Sequence, residues 1–249
     1  MWLPMLVFPA LALPLFAARA PRFAVIVSAN AEWRVVRELH PKAVVSRSPF
    51  GEYFVERIGG EPVVILQGGW GKVDAAASAQ YAISRWNPRV VFNLGTCGGM
   101  AGQIERYETV LAERTVIYDI VEMMADSAEA IGDYTTAIDL TWLGPKLPSL
   151  PVRRGVLVSA DRDLSAADVP KLRRLYGAFA ADWESGAIAR VAARNGKRVV
   201  ILRGVSDLVG SSTGEAYGKP EVFALGTGVV MKKLFESLPE WIAFTAARN

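Results

Sequence analysis

The chain has 249 residues, of which 51% are hydrophobic, and a formal net charge of +3. This length and composition suffice for one large hydrophobic core, which excludes a disordered chain, and the evenly spread basic residues argue against nucleic-acid binding. A single cysteine excludes an internal disulfide, and with only one histidine beside it a structural zinc site and metal-dependent chemistry are disfavoured.

An apolar segment opens the chain. Residues 1–20 contain three prolines and end in Ala-Arg-Ala, a pattern similar to a signal peptide. However, no lysine or arginine precedes the apolar run, and Pro21 would directly follow the cleavage point. The run is also too short and too interrupted by proline for a transmembrane helix. We therefore read residues 1–21 as an N-terminal extension or a signal segment, and we expect a cytoplasmic protein, or an exported one if residues 1–20 are a signal peptide.

Strands and helices alternate along the rest of the chain. Short β-branched and apolar runs predict strands at residues 22–29, 61–67, 88–95, 108–122 (one strand or two) and 154–164 (a strand and a loop). Apolar residues at helical spacing predict helices at residues 30–40, 72–86, 166–177 and 220–238, and residues 180–209 supply a helix followed by a strand. The proline-rich stretch 143–155 is expected to form a surface loop.

This alternation predicts a single α/β domain over residues 22–249. Its three layers would be a central mixed, largely parallel sheet and helices on both faces. Ligands of such sheets bind at the carboxyl ends of the strands. Thr96, Asp161 and Asp207 each follow a predicted strand, so this end of the sheet is the expected place of a site.

Two glycine-rich segments lie at the ends of predicted strands. The segment "GGWGK" precedes a helix and could bind an anion through backbone N–H groups, or its glycines could simply permit a tight turn. It is not a phosphate-binding GxxxxGK[ST] loop, because Val73 follows Lys72 where a hydroxyl is needed. The segment "GTCGG" likewise lacks the G-x-G-x-x-G dinucleotide fingerprint, which disfavours a nicotinamide enzyme.

Three acidic residues lie at the ends of separate elements. Taken singly, Glu32 and Glu184 suit the first turn of a helix, and Asp207 suits a turn or a cap. Taken together, three carboxylates near glycine-rich loops form a set that scaffolding does not require. The set therefore favours a pocket for acid chemistry.

Four segments carry a resemblance to a known family. In chain order, "LQGGWGKVDAA", "NLGTCGGMAG", "ADWESGAIARVA" and "LRGVSD" resemble the purine nucleoside phosphorylase and nucleosidase superfamily, specifically the 5'-methylthioadenosine/S-adenosylhomocysteine nucleosidases. The resemblance covers roughly residues 23–240. It implies a nucleoside phosphorylase-like fold and cleavage of the bond between a purine and its ribose, with no metal or organic cofactor.

The resemblance also implies roles for single residues. Asp207 would protonate the leaving base at N7, with Ser206 orienting its carboxyl group, and Glu184 would hold the ribose hydroxyls. Glu32 would activate water, positioned by Arg203 and Thr96. Acid and base carboxylates suit this hydrolysis, because its transition state is oxocarbenium-like. Trp183, Gly98, Asp163 and Leu164 complete the expected substrate contacts.

The chain departs from the family pattern at three positions. Trp183 stands where the family usually has methionine, and Asp163 stands where an aromatic residue commonly stacks on adenine. Both leave the base and the 5' substituent open, with futalosine-type nucleosides as a further option. In a gapless alignment, Trp33 occupies the position of the family's base glutamate, and Glu32 lies one position before it. We keep Glu32 as the base because no other acid lies within the next five residues.

Hydrolysis is favoured over phosphorolysis. A phosphorylase usually has an arginine shortly before its G-[ST]-x-G turn, whereas this chain has Asn93 and Leu94. A phosphate dianion without a nearby cation is poorly held, although Arg34, Arg37 or Lys72 could supply one. A phosphorylase and a nucleoside-binding protein without turnover remain the alternatives. The family also implies a homodimer with a small-molecule nucleoside as its ligand and no nucleic-acid or membrane partner apart from the apolar N-terminal segment.

Overall fold

The computed structural model describes residues 20–248, so the predicted N-terminal extension lies, except for its last two residues, outside the described residues. The strands are β1 (Phe23–Val27), β2 (Ser46–Ser48), β3 (Gly51–Ile58), β4 (Glu61–Gln67), β5 (Val90–Met100), β6 (Thr109–Ile117), β7 (Thr135–Ala137), β8 (Arg153–Ser159), β9 (Ala178–Asp182) and β10 (Arg198–Val209). The helices are α1 (Asn30–Leu39), α2 (Gly71–Trp86), α3 (Ser127–Asp133), α4 (Val169–Tyr176), α5 (Ser185–Arg194) and α6 (Pro220–Ala246), with one 3-10 turn at Thr141–Leu143.

The strands form one mixed sheet in the order β10-β6-β8-β9-β5-β1-β4-β3-β2, with β7 paired to β6. Strand β5 pairs in parallel with both β1 and β10, and β1 pairs in parallel with β4. Because β10 pairs with β5 on one side and with β6 on the other, the strands β10, β6, β8, β9 and β5 close into a ring. The expected α/β architecture is therefore confirmed.

The helices pack on the sheet through apolar faces. Helix α1 buries Trp33, Val35 and Val36, and α5 lies against α2 through its alanines. The long helix α6 contacts β10 and α1, and it buries Trp241 completely. The described strands are mostly fully buried in the centre of the sheet, as expected for a sheet covered by helices. None of the helices within residues 20–248 is both long and apolar enough to cross a bilayer.

The structure differs from the predicted elements chiefly at β5. The prediction ends this strand at a glycine-rich turn, whereas the strand continues through Gly95, Gly98 and Gly99 to Met100. A side chain at Gly99 would lie 2.8 Å from Ile104, Leu208 and Val205, so the glycine permits close packing within the sheet. The elements β2, β3, β7, β9 and α3 are not among the predicted ones. Residues 108–122 contain one strand, β6, and α6 extends beyond the predicted helix to Ala246.

Candidate active site

A cavity of about 540 Å³ lies at the carboxyl-terminal parts of β5, β9 and β10. Its wall consists of residues 29–32 after β1, Trp70 after β4, residues 96–98 of β5, residues 162–164 after β8, residues 181–184, Ser206 and Asp207 of β10, and residues 216–220 and Phe223 after β10. The chain reaches this wall from many separate segments, because parallel strands bring their carboxyl ends to one edge of the sheet.

Nine of the ten site residues predicted from the sequence line this cavity. They are Glu32, Thr96, Gly98, Asp163, Leu164, Trp183, Glu184, Ser206 and Asp207. The exception is Arg203, whose side chain is 1% exposed and does not reach the cavity wall. Its contacts are with the carboxylates behind the wall, Glu32 among them, so its expected part in positioning water stays a prediction.

Glu32 is held on the cavity wall by three donors. The Thr96 N–H and hydroxyl donate to Glu32 Oε1 at 2.6 and 2.8 Å, and the Ala29 N–H donates to Oε2 at 3.2 Å. All three partners donate to Glu32, so its carboxylate oxygens act as acceptors, as those of a general base must. The neighbouring Trp33 instead packs on Phe54 and donates its indole N–H to Glu52. The structure thus places Glu32, and not the aligned Trp33, in the cavity.

Asp207 lies in the last part of β10 and is 6% exposed. Burial raises the pKa of its carboxyl group, and the Ser206 hydroxyl, which donates to Asp207 Oδ1 at 2.6 Å, partly offsets this. A carboxyl group that keeps its proton to higher pH than usual can serve as an acid near neutral pH. Ser206 therefore has the orienting contact that the resemblance implies.

Arg203 lies at the centre of a buried charge cluster. Its guanidinium lies 3.0 Å from Asp182 Oδ2, 3.3 Å from Glu184 Oε2 and 3.6 Å from Glu32 Oε1. It also donates to the Asn93 side chain and to the Thr96 carbonyl, so each of its nitrogens has a partner. Burial alone would lower the pKa of Arg203, but the three carboxylates raise it. The guanidinium therefore fixes the carboxylates that flank the cavity.

Asp182 is the member of this cluster that the sequence reasoning missed. It accepts hydrogen bonds from the Ser159 hydroxyl at 2.5 Å and from the Ser185 N–H at 3.2 Å. The segment "ADWES" offers a signal, because Asp182 and Glu184 lie two residues apart around Trp183. Asp182 ends the unpredicted strand β9, and without that strand its position could not be placed.

Glu184 faces the cavity and is anchored from two sides. The Gly71 N–H at the start of α2 donates to its Oε1 at 3.2 Å, and Arg203 holds its Oε2. Burial raises the pKa of Glu184, since Arg203 only partly compensates and Asp182 and Glu32 add like charge. The expected anion site of "GGWGK" is therefore taken by a carboxylate of the same chain.

A second charge cluster connects α2 to the loop after β8. The Lys72 ammonium contacts Asp119 and lies 3.5 Å from Asp161, and the Lys72 N–H donates to Asp161 at 2.7 Å. Asp161 thus follows a strand, as expected, and binds Lys72, which is 89 residues away in the sequence. It does not line the cavity. This cluster holds the loop that carries Asp163 and Leu164.

Two indoles form part of the cavity wall. The Trp70 and Trp183 rings lie 4.8 Å apart at an angle of 31°. Trp183 precedes Glu184, and Trp70 precedes Gly71, whose N–H binds Glu184. Both indoles are therefore next to the Glu184 carboxylate: Trp183 is its neighbour in sequence, and Trp70 is the neighbour of its hydrogen-bond donor Gly71. The apolar surface of the stacked pair suits an apolar part of a ligand.

No group of three or more His, Cys, Asp or Glu side chains within residues 20–248 is arranged to hold a metal ion. The buried carboxylates instead surround a guanidinium. The cavity therefore offers a buried acid, an acceptor carboxylate, a second carboxylate and an aromatic wall. These groups suit protonation of a leaving group and activation of water in one place.

A sequence model of the phosphorylase superfamily matches residues 22–222, which is most of the chain. The chain belongs to the phosphorylase superfamily. The expectation drawn from its motifs is thereby confirmed.

Curated relatives of this superfamily member are named 5'-methylthioadenosine/S-adenosylhomocysteine nucleosidases. The protein of Halalkalibacterium halodurans is 30% identical over 179 residues, covering 67% of this chain and 76% of its own length. That of Bacillus thuringiensis is 25% identical over 210 residues, covering 79% of this chain and 90% of its own. Among solved structures, the nucleosidase of Neisseria meningitidis in complex with methylthio-immucillin-A is 19% identical to this chain, with a TM-score of 0.71. The match covers 89% of this chain and 99% of that one, and it shows that the two share a fold.

Proposed function

We propose that this protein hydrolyses the N-glycosidic bond of a purine nucleoside and releases adenine from 5'-methylthioadenosine or S-adenosylhomocysteine. The observation that carries the proposal is that Asp207, with its raised pKa, and Glu32, held as an acceptor, face one cavity. The names of the curated relatives support the choice of nucleoside.

The proposed reaction uses both carboxyl groups. Asp207 donates its proton to N7 of the base, and the electrons of the C1'–N9 bond pass to the departing purine. The sugar becomes oxocarbenium-like, while Glu184 binds the ribose hydroxyls near it. Water then attacks C1' and gives its proton to Glu32. The products are the free base and the free sugar. Glu32 then releases its proton to solvent and Asp207 takes one up, which restores both carboxyl groups for the next cycle.

The charges around the cavity favour water over phosphate as the acceptor. Arg34 is exposed, Arg37 pairs with Glu52, and Lys72 pairs with Asp119 and Asp161, and none of these three cations lines the cavity. Two other cations do line it: Arg162, which pairs with Asp168, and Lys219, in the loop after β10. Arg203 is already surrounded by three carboxylates. A phosphate dianion beside Glu32 and Glu184 would meet like charge, whereas water would not.

The test incubates the protein with a panel of purine nucleosides, with and without phosphate, and measures the release of free base by chromatography. We expect adenine from 5'-methylthioadenosine or S-adenosylhomocysteine at a rate that phosphate does not change. A strict requirement for phosphate would assign the protein as a phosphorylase. Tight nucleoside binding with no base release would instead assign it as a binding protein.

Replacement of the acid gives the sharper prediction. Asp207→Asn cannot protonate N7, so we expect kcat to fall by roughly 10²–10⁴-fold with the fold retained. In the unsubstituted protein Asp207 acts in its protonated form, so activity should fall as pH rises through its raised pKa. The rate of Asp207→Asn should lack that alkaline decline. A variant as active as the parent protein would contradict the assignment.

We further propose that the protein acts as a homodimer. Five large apolar side chains near the start of α2 and after Asp119 are 64–94% exposed: Trp70, Val73, Val121, Met123 and Met124. The contact between Lys72 and Asp119 brings these two segments together. A patch of exposed apolar side chains beside a cavity is a typical interaction surface, and a second copy of this chain would cover it.

A further inference from the structure

The loop after β10 folds back onto the residue that follows the proposed acid. The Glu215 N–H donates to the Leu208 carbonyl at 2.9 Å, and the Leu208 N–H donates to Glu215 Oε2 at 2.9 Å. A bridge between Val209 and Gly214 closes the same turn. Glu215 thus forms hydrogen bonds with both the N–H and the carbonyl group of Leu208.

This contact bears directly on Asp207. The Leu208 N–H belongs to the peptide unit that also contains the Asp207 carbonyl, so its hydrogen bond restrains the backbone ψ angle of Asp207. Residues 216–220, which follow Glu215, form part of the cavity wall. One side chain therefore connects the acid and the wall of the cavity.

Arg106 holds Glu215 in place from the loop between β5 and β6. Its Nη2 lies 2.5 Å from Glu215 Oε2, the oxygen that also accepts from Leu208. The two side chains are 34% and 45% exposed, and solvent screens an ion pair of this kind, so it contributes little to stability. A contribution to stability therefore does not account for the position of the Arg106–Glu215 pair next to Asp207.

We propose that Glu215 is a positioning residue for Asp207, holding the peptide after the acid in place while Arg106 holds Glu215. This inference rests on the proposed function of Asp207 as the acid. The charged groups that act most on Asp207 are Glu215 and Asp163, which are negative, and Arg106, which is positive. These groups come from the loop after β10, the loop after β8 and the loop between β5 and β6, respectively. The other charged groups on the cavity wall are Glu32, Asp182, Glu184, Arg162 and Lys219.

The two partners act on Asp207 in opposite directions. Burial is the main cause that raises the pKa of Asp207; the Ser206 hydroxyl lowers it, Glu215 raises it and Arg106 lowers it. Loss of the Glu215 charge should therefore make Asp207 lose its proton at lower pH. Loss of the Arg106 charge should make it keep its proton to higher pH.

The test measures the pH dependence of kcat in Glu215→Gln and Arg106→Gln. Glutamine at position 215 retains an oxygen that accepts from Leu208 but carries no charge. We expect the alkaline limb to move by ~0.5 pH unit, downward in Glu215→Gln and upward in Arg106→Gln. Glu215→Ala, which also removes the acceptor, should lose roughly a further tenfold in kcat.

A matched control pair lies elsewhere on the surface. Arg154 contacts Glu113 at 2.8 Å, and both side chains are 44% exposed. Glu113→Gln and Arg154→Gln should leave the pH profile unchanged. Shifts of the same sign in Glu215→Gln and Arg106→Gln, or no shift in either, would overturn the proposal.

The proposal remains testable if no nucleoside is turned over. The Asp207 carboxyl carbon can be titrated by NMR with 13C-labelled protein and assigned with Asp207→Asn. Opposite displacements of that titration in the two variants would support the coupling of Glu215 and Arg106 to Asp207. Unchanged titration would overturn it, independently of whether the proposed reaction takes place.

Discussion

Arg203 is the side chain on which the geometry of the site depends most. One guanidinium holds Glu32, Asp182 and Glu184 in an environment with almost no solvent contact. Burial is the main cause that raises the pKa of Glu184; Arg203 lowers it, and the like charges of Asp182 and Glu32 raise it further. The cluster is costly to bury and is stable only while the cation is present.

Replacement of Arg203 therefore has a pH-dependent effect on stability. Arg203→Met leaves the carboxylates without a cation, and we expect a loss of about 3–5 kcal/mol in the free energy of unfolding at neutral pH. Arg203 lowers the pKa of Glu184, so without the cation the folded-state pKa of Glu184 rises further; the loss should therefore shrink as pH falls and Glu184 takes up its proton.

Urea unfolding at pH 5 and pH 8 measures this effect. Arg203→Lys, which keeps a positive charge but not the fork of donors, should lose less stability than Arg203→Met. A deficit of the same size at both pH values would show that lost packing, and not lost charge, is responsible.

The sequence predicted single residues well where they lie at element ends. Glu32, Glu184 and Asp207 were grouped because each lies at the end of a predicted element, and all three line the cavity. The rule that ligands bind at strand ends pointed to Thr96, Asp161 and Asp207, of which Asp161 lies outside the wall. The position of Arg203 behind the wall was not predictable, because side-chain depth depends on packing against three other segments. Asp182 was missed for the same reason.

Among the elements, the contact between α6 and β10 controls the position of the acid. A side chain at Gly226 of α6 would lie 2.4 Å from the Ser206 carbonyl oxygen and 3.0 Å from its carbonyl carbon. The helix can approach the strand this closely only because Gly226 has no side chain. Ser206 in turn donates to the Asp207 carboxyl group.

Gly226→Ala should consequently push α6 away from β10. We expect a destabilisation of about 1–3 kcal/mol from overpacking, together with a lower kcat, measured by urea unfolding and by base release. The control is Gly228→Ala on the same helix, where nothing lies within 4 Å of the added carbon. That change should stabilise the protein by roughly 0.5–1 kcal/mol through helix propensity. Equal effects of the two substitutions would contradict the explanation.

The elements that were mispredicted share a physical cause. Strand β5 contains Gly95, Gly98 and Gly99, and glycines normally signal a turn, yet here pairing with β10 continues along the strand to Met100. Strand β9 reads "AFAAD", in which alanine gives little strand signal, and it forms only between β8 and β5. Tertiary pairing therefore overrode local propensity at both places.

For the whole molecule, the exposed apolar patch predicts assembly. If a second copy covers Trp70, Val73 and Met123, replacement of Val73 and Met123 by glutamate should produce a monomer. Light scattering coupled to size-exclusion chromatography measures the mass. Val44→Glu, at an equally exposed apolar residue on another surface, is the matched control. A parent protein that elutes as a monomer would contradict the proposed dimer.

The closed ring of strands also has a consequence for biosynthesis. Arg203 and Asp207 belong to β10, the last strand to leave the ribosome, whereas Glu32, Asp182 and Glu184 are made earlier. A nascent or truncated chain that stops before β10 carries the three carboxylates without their cation and lacks the acid. The cation and the acid of the proposed site are thus added together in one late step of translation, after all three carboxylates have been made.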